Sequence, residues 1–233
     1  MLAVYAARGG VGATFVATHL AAAFAKRDRR CILVDLDVAF ADASAAIGVP
    51  VDEEPRTIAD LVPLGDEVAS EHIDELAWRH PAGFAALLAP AHGQQFPRTG
   101  ASTYRAAISA ARRSCDVVVL HVPRALDEVA RAGLEVADRV LVVLGLDVLS
   151  FRDAKRAVEV AALEGRCSFV VNRAGRSEIT PGDVERVFGQ PPIAVIPSDR
   201  AVGRAQDHGR LLPMRGRIWR ALDGLARRAQ EAS

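Results

Sequence analysis

Residues Ala7 to Thr14 read A-R-G-G-V-G-A-T and follow directly on the apolar run Leu2 to Ala6. A glycine-rich turn between a strand and a helix presents successive backbone N–H groups, and those groups close on phosphate oxygens. The Walker-type pattern G-x-x-x-x-G-K-[ST] adds a lysine for the β/γ-phosphate charge and a hydroxyl for a magnesium ion. Gly9, Gly10, Gly12 and Thr14 meet that pattern, whereas Ala13 stands at the lysine and Ala7 at the first glycine. The octapeptide is thus equipped to hold phosphate and short of the charge that phosphoryl transfer needs.

Two further candidates sit at the ends of apolar runs. Leu33-Val34-Asp35-Leu36-Asp37 places two carboxylates two residues apart, with Asp42 following. Asp116-Val117-Val118-Val119-Leu120-His121 ends on an imidazole. In an open parallel sheet ligands collect beyond the carboxyl ends of the strands, so all three segments would face one crevice.

The elements that must position them follow from periodicity. Leu2–Ala6, Cys31–Val34, Ala85–Leu88, Val117–Leu120, Val140–Leu144, Ser168–Val171 and Ile193–Ile196 read as strands buried on both faces. Helical windows separate them at Thr14–Lys26, Thr103–Arg113, Leu126–Ala137, Ser150–Leu163, Pro181–Phe188, Asp199–His208 and Arg215–Ala229. Ser150 with Asp153, and Thr180 with Asp183, have the spacing of helix N-caps, and Pro181 adds a proline at the first helical position. This alternation predicts an α/β fold: a doubly wound, mostly parallel sheet with helices on both faces. The stretch from Pro50 to Pro97, with Asp52, Glu53 and Glu54, is irregular and reads as an elaborated crossover within a single domain spanning 1–233.

Lysines and arginines equal aspartates and glutamates at 29 each, so no global field draws the chain to nucleic acid or anionic lipid. A DNA-binding role would need a local patch, and none stands out. Lys26 and Lys155 are the only lysines. Cys31, Cys115 and Cys167 show no metal-ligand spacing and read as buried, reduced thiols. No apolar stretch approaches the roughly 18 residues needed to span a bilayer. A cytoplasmic location is expected, polar or peripheral to the inner face of the membrane.

Taken in order, these motifs resemble the ParA/MinD group of P-loop NTPases, and within it the TadZ/CpaE-like proteins of Flp (tight-adherence) pilus assembly. The group's deviant loop K-G-G-V-G-K-T appears as R-G-G-V-G-A-T across Arg8 to Thr14, and L-V-D-L-D-x-x-F-x-D across Leu33 to Asp42 is similar to the pilus subgroup's second motif. The resemblance continues through Asp138–Lys155, Val170–Arg173 (V-V-N-R), Thr180–Glu185 and Ile196–Asp199 (I-P-S-D). It implies ATP or ADP with Mg²⁺ as ligands, and a nucleotide site running from Arg8 through Gly9, Gly10, Val11, Gly12, Ala13 and Thr14 to Phe15. Thr14 and Asp35 would serve the metal, Asp35 and Asp37 the metal-bound and attacking waters. Asn172 would read the base, with Pro197 and Asp199 closing over it. Arg8 replaces the signature lysine that reaches the partner's nucleotide in a homodimer, and arginine keeps that charge.

The departures point one way. Ala13 removes a phosphate cation, and His121 stands where the group has its Walker B aspartate, a poorer partner for magnesium. The expected function is an ATP-dependent homodimer switch that positions pilus or secretion assembly proteins, with weak or absent hydrolysis. The competing expectations are an active MinD/ParA-like ATPase and a nucleotide-free scaffold. A dinucleotide-binding loop is disfavoured because Phe15 occupies the position of its third small residue. Met214 to Ala229 sets Ile218, Trp219, Leu222 and Leu225 at helical spacing, which fits either a helix packed on the sheet or a peripheral membrane contact; packing is the favoured expectation.

Overall fold

The computed structural model describes residues 1–50, 54–90 and 99–231; Asp52, Glu53 and Pro97 of the irregular stretch lie outside them. Among the described residues, one sheet holds β1 (Leu2–Tyr5), β2 (Cys31–Asp35), β3 (Trp78–Arg79), β4 (Ala85–Leu87), β5 (Val117–His121), β6 (Arg139–Leu144), β7 (Cys167–Ala174) and β8 (Ala194–Pro197). The spatial order is β3-β4-β2-β5-β1-β6-β7-β8. Every pairing is parallel except that of β3 with β4. The chain fills one side of β1 first and then crosses to the other. That reversal sets a crevice at the carboxyl end of β1, where the glycine loop lies.

Strand side chains alternate between two cores. Leu2 and Val4 point to one face of the sheet, Ala3 and Tyr5 to the other. The Leu2 face is covered by α1 (Ala13–Ala25) and α9 (Gly216–Glu231). The opposite face takes α4 (Ala101–Ser114), α5 (Glu128–Val136), α6 (Val148–Val160) and α7 (Pro181–Phe188). The doubly wound expectation therefore holds, with strand and helix bounds within a few residues of those read from periodicity.

The crossover between β2 and β4 is built from α2 (Asp42–Ala46), a 3-10 helix (Ile58–Glu67) and α3 (Ser70–Leu76). Thr57 caps the 3-10 helix, its hydroxyl accepting from the Ala59 N–H while the Thr57 N–H donates to Asp60. β3 escapes a reading by periodicity, because two residues carry no period. It pairs through a turn in which Gly83 adopts φ 94°.

Two helix starts separate cleanly. Thr180 and Asp183 form the expected capping box ahead of Pro181. Ser150, in contrast, is not a cap. Asp147 caps α6 by accepting from the Ser150 N–H at 2.9 Å, and the Ser150 hydroxyl reaches back to accept from Gly145 N–H at 2.9 Å. A carboxylate three residues upstream outcompetes the hydroxyl for the free amides of the first turn. Cys31 and Cys167 are buried, whereas Cys115 is only half-buried; all three are free thiols.

Of the two expectations for Met214 to Ala229, packing is observed. Ile218, Trp219, Leu222, Leu225, Ala226 and Ala229 are all buried on the α1 side of the sheet. Arg27 pairs with Asp223 at 2.9 Å, and Lys26 lies over the Trp219 ring. The face that a lipid surface would need is inside the core. No helix among the described residues is long and apolar enough to cross a membrane.

Candidate nucleotide site

The loop after β1 takes its shape from two glycines. Gly10 (φ 79°) and Gly12 (φ 93°) adopt left-handed backbone, and Gly12 leads into α1 without any side-chain cap. The amides opening α1 are therefore left for an anion. Ala7 does not adopt positive φ, so the missing first glycine costs the loop nothing.

Asn172, at the end of β7, holds the loop from below. Its Nδ2 donates to the Val11 carbonyl at 2.7 Å, and a Cβ on Gly12 would collide with the same amide. The predicted base-reading residue is thus committed to bracing the loop by its amide nitrogen. A bulge in β7 between Val171 and Ala174 follows, and Arg173 sits in it at φ 55°. Bulges re-aim side chains beside functional sites, and a left-handed arginine carries strain that its surroundings must hold in place.

The acid pair and the imidazole come together through strand register. Asp35 and His121 are direct partners across β2 and β5. His121 Nδ1 lies 2.8 Å from Asp35 Oδ1, and His121 Nε2 lies 3.1 Å from Thr14 Oγ1. With Nδ1–H donating to the carboxylate, the neutral ring accepts the Thr14 proton at Nε2. Burial alone would lower the His121 pKa; the hydrogen bond to Asp35 and the charges of Asp35, Asp37 and Asp42 outweigh it and hold the pKa above its ordinary value.

Asp37 stands in front of this chain. Its N–H donates to Asp35 Oδ1, and its own Oδ1 accepts from Ala39 and Phe40. Partial burial, then the Asp35 charge, raise its pKa. Asp37 and Thr14 line a cavity of about 490 Å³ together with Gly9, Gly10, Ala13 and Arg124. A second cavity of about 470 Å³ shares Gly12, Phe15 and Arg173 with it and extends to Pro197 and Asp199. The first half is lined by the glycine loop and Thr14, the second by Phe15, Asn172 and Pro197. Asp199 caps α8 (Arg200–Asp207) through the Ala201 N–H at 2.9 Å and meets Arg217 at 3.3 Å, so it shapes the second half from its rim.

The predicted residues fall at this crevice, with one correction. Asp35 is completely buried and does not line the cavity; it is linked to it through His121 and the Asp37 N–H. Arg8 pairs with Asp153 on its own α6 at 3.6 Å. Sequence reading missed Arg124 and the role of Arg173. An arginine after a strand-end proline carries no motif, and the bulge that turns Arg173 is invisible without register.

Whether magnesium suits the site turns on its oxygens. Thr14 Oγ1 and the Asp37 carboxylate line the cavity, and Asp35 Oδ2 is a buried carboxylate oxygen without a hydrogen-bond partner in the structure. That set fits a hard cation, one carboxylate poorer than an aspartate at position 121 would make it. Thr14 and Asp37 would hold the ion, which supplies charge to offset that of the phosphates.

A glycine loop opening a helix beside β1, with acids at the end of β2, defines a P-loop protein of the parallel α/β class. The AAA domain family matches residues 1–161, and the chain belongs to the ParA/MinD-type P-loop NTPases. It is 22% identical over 212 residues to an uncharacterised ATP-binding protein of Methanocaldococcus jannaschii, covering 89% of this chain and 78% of that one. Its fold is similar to the cell division ATPase MinD of Pyrococcus furiosus, with TM-score 0.86, 22% identity and coverage of 100% and 98%. It is also similar to a ParA family ATPase from Chlorobium tepidum, with TM-score 0.86, 20% identity and coverage of 97% and 96%.

Proposed function

We propose that this chain holds ATP or ADP across a homodimer and, in the ATP form, positions assembly proteins of a Flp-type pilus or related secretion machinery, with little or no hydrolysis. One observation carries the proposal: Thr14, His121 and Asp35 form a hydrogen-bonded chain at the loop that lacks a lysine at Ala13. Backbone donors and Thr14 favour holding a nucleotide. Turnover depends on charge placed at the transferring phosphoryl group, and both residues that would place it, a lysine at 13 and a carboxylate at 121, are absent. The pilus assignment rests on the likeness of Leu33 to Asp42 and of G-G-V-G-A-T to the TadZ/CpaE pattern.

The single domain, the homodimer and the individual site roles belong to the same proposal. The competing reading is an active ATPase of the MinD or ParA kind, supported by the fold likeness to the Pyrococcus furiosus protein. ATP turnover separates the two. The unmodified chain should be near background, and Ala13→Lys with His121→Asp should raise turnover by an order of magnitude or more. Fast turnover by the unmodified chain overturns the switch. Deleting the gene should abolish pili and leave septum placement intact.

A further inference from the structure

The loop has lost its lysine, yet the cavity it lines is not without cations. Arg8, Arg124 and Arg173 border it, opposed by Asp37, Asp42 and Asp127. Three against three leaves a polyanion with no net attraction, so the position of each arginine decides whether phosphate is welcome. Arg8 is engaged with Asp153. Arg173 lines both cavities.

Arg124 and Arg173 are both exposed, and neither has a carboxylate within 4.0 Å among the described residues; what sets Arg124 apart is that its Nη1 is 4.0 Å from where a Cβ on Gly9 would stand. The Tyr5 hydroxyl donates to the Arg124 carbonyl at 3.3 Å. Tyr5 is buried at the end of β1, the strand that delivers the glycine loop. Burial pushes the Tyr5 pKa up to about 12, against the opposing charge of Arg124, so the hydroxyl stays a donor. The backbone of Arg124 is thereby tied to the strand that carries the loop, and its guanidinium reaches toward Gly9.

We propose that Arg124 supplies, from the segment between β5 and α5, the positive charge on the β- and γ-phosphates that Ala13 cannot. A guanidinium is always charged and forks onto phosphate oxygens, so it replaces a lysine as a phosphate clamp while arriving from a different segment of the chain. The inference rests on the nucleotide-holding reading above and adds the residue that makes holding possible without the loop lysine.

The test is calorimetric titration of the full chain with ADP and with AMP. Arg124→Ala should weaken ADP by about tenfold or more and AMP by less than about threefold, since AMP has no β-phosphate. Arg124→Gln, which keeps most of the bulk, should behave the same way. Adding Ala13→Lys to Arg124→Ala should return ADP affinity toward that of the unmodified chain. Unchanged ADP binding in Arg124→Ala overturns the inference, as does equal loss of ADP and AMP, or failure of the added Ala13→Lys to rescue. An unmodified chain that binds neither nucleotide overturns the holding reading itself and the clamp with it.

Discussion

Asp35 and His121 face each other across two adjacent parallel strands, Nδ1 to Oδ1 at 2.8 Å, with Thr14 on the far side of the ring. A buried carboxylate thus has its partner in an imidazole where the family places a second carboxylate. His121→Asp would put two carboxylates side by side at that position. Without metal the variant should melt below the unmodified chain, because the Nδ1–H bond to Asp35 is lost, leaving a buried acceptor at a cost of about 1–3 kcal/mol, and two adjacent carboxylates repel. Magnesium should recover more of the variant's stability than it adds to the unmodified chain. Calorimetric melts with magnesium and with chelator check this; equal metal effects on both proteins contradict it.

Asn172 ties β7 to the loop. Asn172→Ala removes the 2.7 Å bond to the Val11 carbonyl and leaves a buried acceptor unsatisfied, at a cost of about 1–3 kcal/mol. Urea denaturation should show that loss, and nucleotide affinity should fall with it because the loop is no longer held to one conformation. Gly12→Ala should be at least as damaging, since it combines a left-handed backbone with a collision against the same amide.

His19 gives the fold an acid-side weakness. Burial, opposed by its bond to the Phe15 carbonyl, lowers its pKa from 6.5 to about 4. Nε2 accepts from the Leu212 N–H at 2.9 Å, so the folded state requires the neutral ring. The unfolded chain binds a proton that the folded one refuses between these values. Stability from this group is whole above about pH 6.5 and is lost as pH falls toward about 4. Stability measured by urea across that interval should fall more steeply for the unmodified chain than for His19→Gln; parallel curves contradict the assignment.

The closing helix α9 is core. Leu222 is fully buried, so Leu222→Ala should cost about 2–5 kcal/mol. The unmodified chain should not sediment with anionic vesicles, because Ile218, Trp219 and Leu225 have no lipid-facing exposure to offer. Vesicle binding accompanied by a fall in melting temperature would contradict this and show that α9 leaves the core.

Local pattern carried the fold. Apolar runs such as Val117–Leu120 and Val140–Leu144 are strands because sheets covered on both faces bury every residue, and that burial is written in composition. The glycine loop was legible for a similar reason: positive φ at Gly10 and Gly12 is a backbone demand that residue type reveals. Interactions between distant segments were not. The Asp35–His121 pair depends on β2–β5 register, and the Asn172–Val11 bond spans 161 residues. Asp147 displaced Ser150 as the α6 cap because two competent side chains competed and only geometry chose between them.

The central claim is that the site holds a nucleotide although its hydrolytic charge is gone. Thermal unfolding of the unmodified chain, with and without millimolar Mg-ATP, tests this most directly. A ligand at 100 times its Kd stabilises the folded state by about 2.7 kcal/mol, so a rise of several degrees is expected, with ATP recovered intact afterwards. An unchanged melting temperature at that concentration would contradict the account and leave the chain a nucleotide-free scaffold.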